Sequence, residues 1–349
     1  MGHHVGQLAR DLKQRPMRSP TLLDSTFVEA TQLDQWLSHS SGHTLAVISF
    51  GPSLPSLSGP VNYPILSINL PQLTKPARVE VWTSSHPIRI IQHDHIGVAM
   101  NDEIAMACIS MEESAGLTLE TTTYQTYRHL LSTLKELGYP HLWRVWNYFP
   151  RINEDEQGLE RYQRFCMGRH QALVEGLPDF PASLPAGTAV GTRSGPLQIY
   201  AIAGTHSARH LGNPRQVHAY DYPQTYGPRS PSFSRATIGE VDGTAQLFLA
   251  GTASVIGHAS QHVGSAHAQT QEILNNISAV LRHARDTHAA HSFFDPSRGN
   301  YKIYIRHQDD EDTIRQVIED SPLSLTQPLF LQGDLCRREL LVEVEGILS

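Results

Sequence analysis

The chain's last stretch, residues 331–349, reads LQGDLCRRELLVEVEGILS. Within it, ELLVEVEG sets Glu343 and Glu345 two residues apart in an apolar run. Successive side chains of a β-strand point to opposite faces, so the two carboxylates share one face and Val342 and Val344 the other. Cys336 stands seven residues before Glu343. A carboxylate turned into a partly apolar cleft is desolvated in its charged form. Its pKa then rises, and it can act as a general acid near neutral pH. The competing reading is an edge strand whose outward acids serve solubility.

Working outward, helices and strands alternate around this strand. EDTIRQVIEDSP predicts a short helix before it, and YKIYIRH an alternating strand before that. HAQTQEILNNISAVLRHA predicts a helix with Ile273, Ile277, Val280 and Leu281 on one face, preceded by the strand GTAQLFLAGTASV. The same order stands earlier in the chain. VEVWTS and EIAMACISME read as strands, residues 121–138 as an amphipathic helix, and HLWRVWNYF as a strand. In that helix Tyr124, Tyr127, Leu131, Leu134 and Leu137 recur at helical spacing, and Gly138 stops it. The repetition predicts an α+β protein of two related halves, 1–185 and 186–349, with mixed sheets and helices on one sheet face. The Pro- and Gly-rich VEGLPDFPASLPAGTAVGT joins them, and the first half opens with an irregular segment containing GPSLPSLSGP.

Composition narrows the class. With 349 residues, 40% hydrophobic and 17% charged, the chain is globular. A net charge of −7 speaks against a nucleic-acid surface. Three cysteines, Cys108, Cys166 and Cys336, fit reduced thiols in the cytoplasm better than a disulfide framework. There is no apolar run of about 18 residues, hence no expected membrane span. The opening MGHHVGQLARDLKQ lacks the apolar core of a signal peptide.

Arginine and tyrosine carry the next signal. RYQRFCMGR places Arg161, Arg164 and Arg169 on a helix. NPRQVHAYDYPQTYGPRSPSFSRAT, a proline-spaced loop, interleaves Arg215, Arg229 and Arg235 with Tyr220, Tyr222 and Tyr226. Guanidinium forks and phenols suit a planar anionic small molecule; the alternative is a solvated loop. Twenty histidines include His93, His95, His258, His262, His267, His283, His288 and His291, with Asp94 between the first two. Their spacing matches no closed metal motif, and a solvated face accounts for them equally well. GxSxG, Walker and GxGxxG motifs are missing, which leaves a lyase without an organic cofactor or a binding protein.

These residues together resemble a known family. FLAGTASVIGH, AQTQEILNNI and CRRELLVEVEG look like segments of the chorismatases, whose fold is related to the small trimeric YjgF/RidA proteins. WNYFPRIN, RYQRFCMGR and GPRSPSFSRAT resemble further segments, and the likeness spans roughly residues 60 to 349. The resemblance implies two RidA-like halves imitating part of a trimer, with a cleft between them near the terminal strand. It implies release of pyruvate from chorismate, with no metal or organic cofactor. Glu343 would be the acid, matching the glutamate of a VEIE-type terminal motif. Cys336 stands where the hydroxybenzoate-forming members carry a cysteine. The likeness therefore points to 3-hydroxybenzoate, with 4-hydroxybenzoate beside it as in the xanthomonadin-pathway type. The substrate-binding candidates are Arg164, Arg169, Arg229 and Arg235 with Tyr148, Tyr162 and Tyr226, and Ala250 and Gly251 would line the same pocket. A monomer or weak homo-oligomer is expected, with no nucleic-acid or membrane partner. Competing readings are a chorismate hydrolase giving a dihydroxycyclohexadiene carboxylate, a RidA-like imine deaminase, a non-catalytic binder of aromatic acids and, from histidine content alone, an iron-dependent oxygenase.

Overall fold

The structure, a computed structural model, describes residues 23–40, 43–51, 57, 61–93, 95–114, 116–287 and 294–349. Most of the GPSLPSLSGP loop, the N-terminal residues 1–22, Asp94, His288 and His291 lie outside the described residues.

Sixteen strands named here form three sheets. The first holds β1 (Asp24–Glu29), β2 (His43–Phe50), β3 (Ile65–Ile68) and β4 (Arg78–Ser84) in the order β1-β4-β2-β3. The second contains β5 (Arg89–His93), β6 (Ile96–Met100), β7 (Ile104–Met111), β8 (His141–Pro150), β9 (Ala186–Thr192) and β10 (Leu197–Gly204). Its order is β9-β8-β10-β7-β6-β5. The third contains β11 (Arg209–Leu211), β12 (Ala236–Val241), β13 (Thr244–Ala253), β14 (Asn300–Ile305), β15 (Leu329–Gln332) and β16 (Val342–Leu348). Here the order is β11-β12-β13-β16-β14-β15.

Among the described residues, five α-helices cover the outer faces. The short α1 (Leu33–His39) packs on the first sheet. On the second lie α2 (Leu119–Glu136) and α3 (Arg161–Gly176), burying Tyr127, Leu130, Leu134, Phe165 and Leu173. The Thr118 hydroxyl caps α2 by accepting from Thr121 N–H at 3.4 Å, and Gly138 closes it at φ +95°. A Cβ at Gly168 would run into the Glu120 carbonyl, so this glycine lets α3 lie close against α2. On the third sheet, α4 (Ala266–Thr287) and α5 (Glu311–Glu319) bury Ile273, Ile277, Val280, Ile314 and Ile318.

The α+β class stands, but the division of the chain differs from expectation. The segment expected to be irregular supplies β1, β2 and β3, whose short apolar runs become a sheet once they pair with β4. Strands β9 and β10, assigned to the second half from sequence, pair with β8 and β7 in the second sheet. The Pro-rich segment therefore links α3 to β9 inside one sheet unit. By sheet membership the change falls between Gly204 and Arg209.

The inner faces of the three sheets meet in a common core that includes Phe50, Trp82, Trp146, Tyr200, Phe248 and Tyr304. Charged residues sit within it. Lys302 Nζ lies 2.8 Å from Glu80 Oε2 and 3.0 Å from Glu345 Oε1, and Arg144 NH2 lies 2.5 Å from Glu345 Oε2. These side chains are at most 3% exposed. Tyr200 OH donates to Glu80 at 3.0 Å, and Trp146 Nε1 and Tyr304 OH donate to Glu345 at 3.0 and 2.9 Å. Two acids face two bases, so the node is neutral as a whole and its acceptors are filled.

Removing one member of such a buried set leaves an uncompensated charge, at a typical cost of about 3–5 kcal/mol. Lys302→Met should therefore lower the unfolding free energy by roughly that amount in urea titrations; a loss below about 1 kcal/mol would mean the node does not hold the sheets together.

Candidate active site

A cavity of about 250 Å³ opens between the second and third sheets. Its floor is β16. The Tyr304↔Glu343 and Lys302↔Glu345 register puts both glutamates on the inner face, while Val342 and Val344 face the helices, as alternation predicts. Two residues apart, the carboxylates meet opposite surroundings. Glu345 enters the charged node. Glu343 lines the cavity, is 4% exposed, and receives no hydrogen bond from the described residues.

Strand β13 shapes the wall beside Glu343. Its register against β16 shifts between Leu249 and Thr252, a bulge at Ala250 and Gly251. Gly251 N–H donates to Thr188 Oγ1 at 3.0 Å, and a Cβ on Gly251 would overlap Glu343 Oε1. Thr188 in turn donates to Glu345, so one hydroxyl ties the bulge to the node.

These surroundings push the two acids apart. Burial, then the charge of Glu345, raises the Glu343 carboxyl to about 8; Arg144, Arg235 and Arg306 only partly offset this. Burial also acts on Glu345, but Lys302, Arg144 and the hydrogen bonds from Thr188 and Lys302 outweigh it and hold the carboxyl below its ordinary range. One acid is therefore poised to donate a proton near neutral pH while its neighbour stays ionised.

Two arginines, one on a helix over the second sheet and one beside β12 of the third, line the same cavity. Arg169, on α3, donates through Nε to Tyr127 OH at 2.6 Å and through NH1 to the Ser232 carbonyl. Its buried NH2 has no partner among the described residues. Arg235, just before β12, donates to Tyr222 OH at 2.6 Å and lies over the rings of Tyr222 and Phe233, with Nε unpartnered among the described residues. A buried N–H without an acceptor costs about 1–3 kcal/mol. At the rim, Arg337 stacks 4.0 Å over Tyr226 and donates to the His258 carbonyl at 3.0 Å.

Cys336 and Cys166 line the cavity with Tyr162. Burial, and then the charge of Glu343, pushes the Cys336 thiol up to about 12; burial likewise takes Cys166 to about 12. Both remain thiols at neutral pH, available to pack and hydrogen-bond but poor as nucleophiles.

Of the residues singled out in the sequence, the cavity unites Glu343, Cys336, Tyr162, Arg169, Tyr226, Arg235 and Gly251. Four lie elsewhere. Tyr148 has the parity of Arg144 and Trp146 on β8, so it faces the three-sheet core and bonds Tyr304 OH at 2.7 Å. Arg164 is spent on the Glu156 and Gln157 carbonyls and on Glu120. Arg229 is exposed. Ala250 points into the core from the bulge. The sequence reading missed Asn147, Thr188, Phe233 and Arg337 as lining residues. Asn147 and Thr188 left a signal, being polar residues inside apolar strand runs. Among the described residues no three His, Cys, Asp or Glu side chains gather into a metal site, and no helix is long and apolar enough to cross a membrane.

The pocket thus holds a carboxyl with a raised pKa together with two arginines. Comparison with known proteins gives the chain a family. The family model described as chorismatase FkbO/Hyg5-like, N-terminal, matches residues 80–203. A 3-hydroxybenzoate synthase of Streptomyces hygroscopicus is 35% identical over 297 residues, 82% of this chain and 85% of that protein. A chorismatase of the same organism is 34% identical over 78% of this chain and 80% of its own length. A solved chorismatase structure superposes with a TM-score of 0.85 at 30% identity, covering 95% of this chain and 100% of that one. The chain belongs to the chorismatase family.

The raised Glu343 has a stability signature. A carboxyl at about 8 when folded and near 4.5 when unfolded costs nothing below pH 4.5. Its destabilising effect grows as pH rises towards 8, because only the unfolded state ionises there, and is constant above. The melting temperature of Glu343→Gln relative to the parent should therefore climb from about pH 5 to about pH 8 and then level. A flat difference over that range would show that Glu343 titrates normally.

Proposed function

We propose that this chain releases pyruvate from chorismate and forms 3-hydroxybenzoate, with Glu343 as the general acid. One observation carries the reading: a buried carboxyl, raised to about 8, faces a cavity that Arg169 and Arg235 also line. The names of the related 3-hydroxybenzoate synthase and chorismatases support it.

Chorismate is a dicarboxylate with an enol ether. Arg169 and Arg235, on separate walls, are suited to its two carboxylates. Glu343 protonates the terminal methylene and leaves an oxocarbenium ion, which turns pyruvate into a leaving group. The ring 4-hydroxyl then displaces pyruvate from the adjacent carbon and loses its proton, forming an epoxide. Opening with loss of the ring proton gives 3-hydroxybenzoate, so the reaction has no net water. Attack by water instead gives a dihydroxycyclohexadiene carboxylate. Cys336, as a thiol, lines the wall and keeps water from the intermediate. All these groups come from one chain, which fits a monomer or weak homo-oligomer. Three free cysteines fit the reducing cytoplasm.

The test incubates EDTA-treated protein with chorismate and follows pyruvate and ring products. Absence of pyruvate defeats the reading; saturable binding without turnover would then indicate a binder, and ammonia released from imines a deaminase. Glu343→Gln should lower turnover by about 10²–10⁴-fold while binding persists. Parent activity should fall about tenfold per pH unit above pH 8, since the acid form is lost there. Cys336→Ala should alter the ratio of ring products more than the rate of pyruvate release, and an unchanged ratio would remove Cys336 from product control.

A further inference from the structure

We propose that Arg306 is a positioning and specificity-determining residue: its guanidinium clamps the 334–340 turn so that Cys336 and Arg337 close the cavity, and the firmness of that clamp decides how much of the intermediate is lost to water. The inference rests on the reaction proposed above.

Arg306 directly follows β14, and its side chain is 10% exposed. All five of its side-chain N–H bonds are directed at one turn and the residues bracing it. Nε donates to the Leu340 carbonyl at 2.8 Å. NH1 donates to Asp334 Oδ1 at 2.6 Å and to Asn153 Oδ1 at 3.1 Å. NH2 donates to the carbonyls of Leu335 at 3.2 Å and Arg337 at 2.8 Å. Those last two carbonyls flank Cys336, so a single nitrogen fixes the backbone on both sides of the thiol.

The far side of the turn is held too. Asn153 Nδ2 donates to the Leu335 carbonyl at 3.0 Å, and Asp334 exchanges backbone hydrogen bonds with Gly191 of β9 at 2.7 and 3.1 Å. The turn thus joins the second and third sheets across the cavity mouth. Its two inward products are the placement of Cys336 and the stack of Arg337 over Tyr226. A planar fork with five donors is needed for this pattern; a lysine ammonium, a single point with three donors, keeps the charge and loses the geometry.

The experiment measures ring products and pyruvate for Arg306→Lys and for Asn153→Ser, which weakens the same clamp from the other side without changing charge. The partition from hydroxybenzoate to the dihydroxycyclohexadiene product should shift by about tenfold in Arg306→Lys and in the same direction in Asn153→Ser. The pH at which pyruvate release declines should stay at the parent value in both. A parent-like partition in folded Arg306→Lys and in Asn153→Ser overturns the proposal. A proportional loss of both products, with the ratio kept, also overturns it, because it reports only less active protein. Were the parent to release no pyruvate at all, the failure would belong to the proposed reaction and not to the clamp.

Discussion

The molecule is organised around the buried meeting of Glu80, Lys302, Glu345 and Arg144. Glu80 comes from the first sheet, Arg144 from the second, and Lys302 and Glu345 from the third. Apolar packing alone could join three sheet faces in several registers, because it is non-directional. The ion pairs select one. A one-residue slip of β16 would turn Glu345 to the helix side and leave Lys302 and Arg144 without it. Whether such a set adds net stability over a hydrophobic core of the same shape is a separate matter from the register it enforces.

The site follows from that constraint. Once β16 is locked, Glu343 must face inward two residues before Glu345, at the place where β13 bulges and only glycine leaves room for its carboxylate. The node draws its cations onto Glu345 and leaves Glu343 desolvated beside a fixed negative charge. A structural ion pair and a carboxyl with a raised pKa are thus consequences of the same two-residue period.

Much of this was legible in the sequence. The helices over residues 121–138 and 267–284 show their buried faces at three- and four-residue spacing, and the structure places them at Leu119–Glu136 and Ala266–Thr287. The shared face of Glu343 and Glu345 follows from strand alternation. Other features were written locally but could not be interpreted locally. VEVW, LWRVW, YKIYI and VEVEG carry one or two charges each inside an apolar strand, and none alone tells whether those charges are solvated or buried. Tyr148 and Arg164 looked equal to Tyr162 and Arg169 because composition does not reveal strand parity across a sheet or which helical arginine is already engaged.

The sequence by itself determined the α+β class, the principal helices, the pairing of two glutamates on one strand face and the family of the chain. Those properties depend on short-range periodicity and on local motifs, which survive reading in one dimension. Only the tertiary structure decided which glutamate is paired and which is poised, which arginines keep a free N–H, and that β9 and β10 belong to the second sheet. The reason is physical: the charge state of a carboxyl and the vacancy of a guanidinium depend on groups as far as 201 residues away in sequence, brought within hydrogen-bond reach by the meeting of three sheets.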